Sequence, residues 1–260
     1  MQSSGISQFH GLEDAVRWFE AFATAHIDAT TRGPLELKMA HTRRVLGHAH
    51  EIVDSLVLSS EQRRSALLAA LLHDVGRFPQ FNQWQTFRDA DSTNHGHLGA
   101  RVLREHGVLN NETAAVRRMA LLGVALHNRY ALPGGLPEGA RLITSVVRDA
   151  DKIDILYIFS QELQNPQPSP DVVLHVAREP EKWSPDIAEM ILQDRVPDYK
   201  QLRFVNDFIM LLGSWLPSLV FKTSLEVVRK SGTIESLMQL LPCDPLIDAV
   251  KIKVYKHLYI

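Results

Sequence analysis

The stretch ALLAALLHDVGRFP, residues 66–79, decides how the rest of the chain is interpreted. Its unbroken apolar run over residues 66–72 predicts a helix that is buried on every side. That helix ends in the pair His73-Asp74, after which Gly76 interrupts the apolar pattern. A histidine and a carboxylate at the end of a buried helix are costly unless a third group pairs with them. A metal ion is the commonest group able to hold both, so the stretch predicts a metal site.

The composition of the chain restricts its class. It has 260 residues, 45% hydrophobic and 22% charged, which is ordinary for a soluble globular protein with a sizeable core. The formal net charge of −2 gives no global basic field for nucleic acid or an anionic membrane. The single cysteine, Cys243, excludes an intramolecular disulfide and a cysteine-rich zinc site, and it indicates a reducing compartment. Neither a signal peptide nor a bilayer-spanning run is recognisable, so we expect a soluble, cytoplasmic protein.

Helical spacing of apolar residues dominates the chain, and no stretch longer than a few residues alternates as a strand does. Helices are predicted over residues 12–26, 35–56, 60–73, 95–106, 111–127, 140–159, 186–192, 199–212, 218–230 and 245–259. Residues 30–34 separate the first predicted helix from the second, and Asn111 is predicted to cap the helix that runs to residue 127. Residues 78–87 are predicted as a short helix or a loop, and three prolines make residues 165–170 a loop.

These segments predict an all-α protein. Residues 1–160 would form a helical core, and residues 161–260 a helical extension packed on that core. We favour one structural domain overall. The extension carries no motif that connects to chemistry, and we expect it either to shape a pocket or to form the contact face of a homodimer.

Six side chains with metal-ligating chemistry fall inside or at the end of five predicted helices: His41, His73, Asp74, His95, His127 and Asp151. Helical bundles build metal sites in this way, because facing helices each project a ligand inward. Imidazole with carboxylate and no thiolate suits one or two divalent ions among Mn, Fe, Co, Ni, Zn and Mg. Six ligands exceed the four of a typical zinc site. The surplus indicates two ions, and Asp74 is the natural bridge between them.

Other interpretations of these residues stay open. Alone, a helix-end histidine beside a capping aspartate would be the simpler explanation of the central pair. His97 competes with His95, and Asp149 with Asp151, because residues two apart on a helix face in different directions. The spacing from His95 to Gly99 and the Ala-Asp-Lys context of Asp151 favour the residues chosen above.

The pattern of these residues resembles the HD-domain superfamily of metal-dependent phosphohydrolases. The matching contexts are LKMAHTRRV (residues 37–45), LLHDVGRFPQ (71–80) and RDADKID (148–154). NHGHLGARVL (94–103) and ALHNRY (125–130) resemble members that bind a second metal. The resemblance covers roughly the first 160 residues. It implies that His41, His73, Asp74 and Asp151 hold one ion and that Asp74, His95 and His127 hold a second.

The resemblance does not fix the substrate, because this fold hosts many. No Glu-Asp motif soon follows the His-Asp pair, as it does in guanosine-tetraphosphate hydrolases. The Gly-Tyr-Pro signature of the cyclic-dinucleotide phosphodiesterases is absent from the sequence. The acidic residue that the small deoxynucleotidases carry shortly after the pair is absent as well. The sequence therefore disfavours each of these three specific functions.

The function expected from the resemblance is hydrolysis of a phosphomonoester or phosphodiester by metal-activated hydroxide, with a small phosphorylated molecule such as a nucleotide as the substrate. Asp74, Arg77 and Lys152 are the predicted catalytic residues, the two cations stabilising phosphate charge. For Arg77 an ordinary surface arginine is an equal alternative, and Arg129 is placed similarly. Two rival functions are a di-iron oxygenase and a non-catalytic nucleotide or metal sensor.

Overall fold

Helix α3 (Ser60–Leu72) is the buried element that the apolar run predicts. In this computed structural model, which describes residues 11–167 and 176–259, the second half of α3 is completely buried. Ser59 begins the helix with a capping box, in which its hydroxyl accepts from the Gln62 N–H and the Gln62 side chain accepts from the Ser59 N–H. Because α3 packs against α1, α2 and α6, the His-Asp pair that follows it lies in the interior.

The helices before residue 165 are α1 (Glu13–Ala25), α2 (Arg32–Asp54), α3, α4 (Arg77–Trp84), α5 (His95–Glu105), α6 (Ala114–Leu126) and α7 (Glu138–Gln164). Helix α5 packs on α4 and α6, and α2 also contacts α4. A 3₁₀ turn, Asp89–Asp91, lies between α4 and α5. The segment predicted as a short helix or a loop is therefore helical up to Trp84, where the left-handed Gln85 ends α4.

The chain divides into two compact units, residues 1–151 and 152–260, with the boundary inside α7. The helices that follow α7 are α8 (Pro185–Leu192), α9 (Val205–Gly213), α10 (Lys222–Ser231), α11 (Thr233–Gln239) and α12 (Pro245–Tyr259). Within the described ranges there is no strand, only an isolated bridge between Ala177 and Phe204, so the all-α prediction is confirmed. The division at residue 160 and the prediction of one domain stay predictions.

In the first unit, the starts of α2 and α6 differ from those predicted. Helix α2 begins at Arg32, so Pro34 lies in its first turn, where a missing N–H removes no helical hydrogen bond. Helix α6 is capped by Thr113, whose hydroxyl accepts from the Val116 N–H at 3.3 Å, and not by Asn111.

The second unit departs further from the predicted boundaries. Helix α9 begins at Val205 and not at Tyr199, because the buried Asp207 carboxylate accepts from the N–H groups of Arg203 and Phe204 at 2.9 and 3.1 Å. The same carboxylate accepts from the Ser184 N–H and hydroxyl, both at 2.7 Å. Helix α10 begins at Lys222, after the predicted start at residue 218, and α11 is a helix that the apolar spacing did not predict.

The sequence predicts a loop over residues 165–170 and no segment that crosses a membrane. Residues 165–167 are not helical, as the prolines predict, while the rest of the predicted loop at 168–170 lies outside the described residues. None of the helices in the described part of the chain combines the length and the apolar character needed to cross a membrane.

Candidate metal centre

The first unit brings together all six side chains that the sequence singles out. His41 lies in the middle of α2, His73 ends α3, and Asp74 follows it. His95 begins α5 and His127 ends α6. All of these are buried, and Asp151 on α7 is about four-fifths buried, with 21% of its side chain exposed. Three overlapping groups have ligand atoms within 4.8 Å of one another: His41, His73 and Asp74; His73, His127 and Asp151; and Asp74, His95 and His127.

The two oxygens of Asp74 divide the cluster into two halves. Asp74 Oδ2 lies 3.6 Å from His41 Nε2 and 3.7 Å from His73 Nε2. Asp74 Oδ1 lies 3.4 Å from His95 Nε2 and 3.7 Å from His127 Nε2. We call the first set, with Asp151, the first half-site, and the second set the second half-site. One carboxylate thus faces two separate groups of imidazole nitrogens.

Asp151 completes the first half-site. Its Oδ1 lies 3.1 Å from His41 Nε2 and 3.8 Å from His73 Nε2. The first half-site therefore has two imidazoles and two carboxylates. The second half-site has two imidazoles and shares the one carboxylate of Asp74.

All four imidazoles direct Nε2 into the cluster, and backbone carbonyls orient two of them. His73 Nδ1 lies 2.8 Å from the Ala70 carbonyl oxygen, and His127 Nδ1 lies 2.7 Å from the Val124 carbonyl oxygen. A carbonyl only accepts, so each Nδ1 carries the proton and each Nε2 presents a lone pair. The facing Nε2 atoms of His95 and His127 are 3.0 Å apart. Lone pairs that converge in this way fit a shared cation, so the donor set suits a divalent metal.

Burial keeps two of the histidines neutral. It lowers the pKa of His73 to about 4, because an imidazolium is poorly solvated there. Burial, followed by the positive charge of Arg77, lowers the pKa of His95 to about 3. A metal binds neutral imidazole, so at neutral pH these two rings are in the form that coordination requires.

The carboxylates of the cluster are ionised. Burial opposes the charge on Asp74, but the Lys38 ammonium and the other neighbouring donors outweigh it and hold the pKa of Asp74 well below its usual range. Burial likewise opposes ionisation of Asp151, and the hydrogen bond from His41 holds the pKa of that carboxyl well below its usual range. The half-sites therefore combine neutral nitrogen donors with negative oxygen donors.

A close approach of two backbones places the halves side by side. A Cβ added to Gly76 would lie 2.2 Å from the His95 carbonyl oxygen and 2.6 Å from the Gly99 nitrogen. Only glycine permits this distance between the residue before α4 and the first turn of α5. The glycine two residues after Asp74 thus brings His95 to the same centre.

Two further candidate functional residues, Lys38 and Asp89, lie beside the cluster, and the sequence motifs did not single them out. Lys38 Nζ lies 2.9 Å from Asp74 Oδ2 and 5.5 Å from the centre of the Phe87 ring. Asp89 accepts from His95 Nδ1 at 2.8 Å. The available signal for Lys38 was its position one helical turn before His41. No comparable signal existed for Asp89, which lies in a segment without periodicity.

The other predicted residues lie as follows. Arg77 is near the cluster, its Nε 3.4 Å from Asp74 Oδ1. Lys152 begins the second unit, where its ammonium donates to Ser218 Oγ at 2.6 Å, so its contact with substrate stays a prediction. The side chains of His97 and Arg129 are exposed. Asp149 is buried and is not among the three groups of converging ligand atoms within the described residues.

Comparison with protein families agrees with this geometry. The family model of the HD domain matches residues 39–157, a range that includes all six cluster residues. The resemblance inferred from the motifs is therefore confirmed for this segment, and the HD domain is an all-α fold that implies a superfamily of metal-dependent hydrolases. Neither the curated proteins nor the solved structures contain a match to the chain.

Proposed function

We propose that this protein is a metal-dependent phosphohydrolase that binds two divalent ions and cleaves a phosphomonoester or phosphodiester, with nucleotides among the candidate substrates. The observation that carries the proposal is the position of Asp74, whose two oxygens each face a separate pair of imidazole Nε2 atoms. A single carboxylate shared in this way is the arrangement expected where two metals act together.

The ligand roles follow from the two half-sites. His41, His73, Asp74 and Asp151 would hold one ion, and Asp74, His95 and His127 the other. When bound, the metals supply Lewis-acid stabilisation of phosphate oxygens and lower the pKa of a coordinated water towards neutrality. The protein contributes the fixed protonation states, since the Nδ1 bonds of His73 and His127 to backbone carbonyls leave only Nε2 to face the centre.

Two cations beside the cluster would bind the anionic substrate. Lys38 and Arg77 approach opposite oxygens of Asp74, at 2.9 and 3.4 Å, so one lies at each half-site. Both also lie against the Phe87 ring, 5.5 and 5.8 Å from its centre. Their charges are positioned to bind non-bridging phosphate oxygens and to stabilise the charge that develops during transfer. Positioning and electrostatics then account for catalysis without covalent participation of the protein.

The test is a substrate and metal screen with a matched pair of variants. The full chain is assayed against p-nitrophenyl phosphate, bis-p-nitrophenyl phosphate and a nucleotide panel with Mn, Co, Ni, Zn, Fe or Mg, with elemental analysis of bound metal. Asp74→Ala should abolish turnover and reduce bound metal while the helical circular dichroism is retained. Asp91→Ala is the control, because it removes an exposed aspartate paired with Arg88. Hydrolysis by Asp74→Ala at the wild-type rate refutes the proposal.

A di-iron oxygenase is the second candidate, because the donor set of four imidazoles and two carboxylates without thiolate also suits iron. Iron as the metal in the purified protein, with oxygen uptake and no phosphate release, would establish it in place of the hydrolase. Tight nucleotide or metal binding without turnover across the metal panel would instead indicate a sensor.

A further inference from the structure

His95 differs from the other oriented histidines in where its Nδ1 proton goes. His73 and His127 each follow a helix, so a carbonyl three residues earlier accepts from Nδ1. His95 is the first residue of α5, and no preceding helical turn exists there to offer a carbonyl. A partner from outside the helix is therefore needed to orient this ring.

Asp89 is that partner. Both of its carboxylate oxygens lie 2.8 Å from His95 Nδ1. An ionised carboxylate only accepts, and this one lies beside the N-terminus of α5, where negative charge is favoured. The proton on Nδ1 then leaves the His95 Nε2 lone pair facing Asp74 Oδ1 and His127 Nε2, at 3.4 and 3.0 Å.

Asp89 is itself held by donors from three elements. Asp89 Oδ1 accepts from Gln80 Nε2 at 2.9 Å and lies 3.2 Å from Arg77 Nη1, both on α4. Asp89 Oδ2 accepts from Asn128 Nδ2 at 3.0 Å, after α6. With His95, four donors surround this carboxylate. A 3₁₀ turn by itself needs none of these side-chain contacts.

Gln80 fixes the turn that carries Asp89. It is fully buried, and its amide nitrogen also lies within hydrogen-bond distance of Ser92 Oγ and the Thr93 carbonyl, at 2.8 and 3.0 Å. Its amide oxygen accepts from Arg77 Nη1 at 3.0 Å. Because every hydrogen-bonding group of this buried amide has a partner, the amide holds the segment between α4 and α5 in one position.

We propose that Asp89 is a positioning residue of the second half-site, which holds His95 in the Nδ1-protonated form and so sets the affinity of that half-site for its metal. The inference rests on the proposed function in one respect, that metal binds at the half-sites. The first half-site has its own orienting contacts and does not depend on Asp89.

The test is Mn²⁺ titration of the metal-free full chain, followed by calorimetry and by the electron paramagnetic resonance of free Mn²⁺. In Asp89→Asn an amide NH₂ would replace one accepting oxygen and face surrounding donors. The affinity of the protein for one of the two ions should then fall by about 10- to 100-fold, and its affinity for the other should not change. Asp91→Asn is the control, because Asp91 lies in the same 3₁₀ turn and pairs with the exposed Arg88. His95→Ala should lower the affinity for the same ion.

A second measurement needs no metal. The ¹⁵N shifts of the imidazole rings, with His95 identified by its loss in His95→Ala, should show Nδ1 protonated and Nε2 unprotonated at pH 7 in the wild type. In Asp89→Asn the ring should become a mixture of tautomers, and Asp89→Glu should restore part of the wild-type signal.

The outcomes are distinguishable. Wild-type affinities for both ions in Asp89→Asn, loss of both ions together, or an Nε2-protonated His95 in the wild type each overturns the role of Asp89. If Asp89→Asn does not fold, the tautomer of the wild type decides alone. A wild type that binds no metal refutes the proposed function, and the ring tautomers still decide whether Asp89 orients His95.

Discussion

The ammonium nitrogen of Lys38 lies 2.9 Å from Asp74 Oδ2, so the carboxylate shared by the two half-sites is ion-paired in the protein. Lys38 and His41 lie one turn apart on α2, and both reach the same oxygen. Asp74 is buried, so this pair has little solvent screening and satisfies a charge that would otherwise be costly. A metal at the first half-site would compete with Lys38 for that oxygen.

Lys38→Met should therefore separate substrate binding from metal binding. We expect KM for a phosphate ester to rise by about 10- to 100-fold, because a charge-assisted hydrogen bond of roughly 1.5–3 kcal/mol is lost. The affinity for metal should stay the same or rise, since a competing cation is removed. Steady-state kinetics and Mn²⁺ titration check both. Arg43→Met is the control, because Arg43 is on the same helix and pairs with Glu20. A KM unchanged from the wild type would contradict the role of Lys38.

Gly76→Ala should damage the second half-site and the fold together. The new Cβ would meet two backbone atoms, the His95 oxygen and the Gly99 nitrogen, neither of which has a flexible end that could move. We expect a loss of about 1–3 kcal/mol in the free energy of unfolding and weaker binding of one ion. Urea denaturation and metal titration measure these effects.

Gly47→Ala provides the matched control for this substitution. Gly47 lies inside α2, and an added Cβ there has no neighbour within 4 Å. Because alanine is the better helix former, the control should gain about 0.5–1 kcal/mol. Equal stability of the two alanine variants would show that the contact at Gly76 does not matter.

Arg148→Met should loosen the end of α6. Arg148 donates to the carbonyls of His127 and Tyr130, both at 3.2 Å, and also to the Arg129 carbonyl. These bonds satisfy carbonyls at the C-terminus of α6, next to the His127 ring. We expect a loss of roughly 1–3 kcal/mol in stability and reduced metal affinity. In the control, Arg141→Met, a half-buried arginine on the same helix loses its bonds to the Pro133 and Gly134 carbonyls, and metal affinity should not change.

The stability of the metal-free protein should fall as the solution is acidified. His73 and His95 have pKa values of about 4 and 3 in the folded protein, against 6.5 when solvated. Between these values the unfolded chain binds protons that the folded chain does not, so the free energy of unfolding decreases as the pH falls from about 6.5 to 4. Each histidine should account for roughly 2 kcal/mol between pH 7 and pH 5.

Urea titrations in a chelator at both pH values measure this dependence. His95→Asn should reduce the difference between pH 7 and pH 5, because one of the two neutral histidines is then absent. A stability that is the same at both pH values, or higher at pH 5, would contradict the neutral state of these rings.

The sequence by itself determined which segments are helical and which residues carry metal-ligating chemistry. The apolar run before His73 predicts a buried helix, and the motifs single out six side chains, which the structure brings into one cluster. The reason is that helical periodicity and burial are local properties of a segment. The choice of His95 over His97 agrees with the structure for the same reason, since the two face in different directions.

Only the tertiary structure decided how those residues are held. Lys38, Asp89 and Arg148 act through partners that are 36, 6 and 21 residues away along the chain, in other elements, and no local pattern records such contacts. The Asp207 carboxylate that caps the start of α9 is likewise held by Ser184, 23 residues away, a contact that local propensity could not reveal. A segment's own sequence fixes its helix and buried face, whereas the orientation of a ring or the partner of a charge depends on the element packed against it.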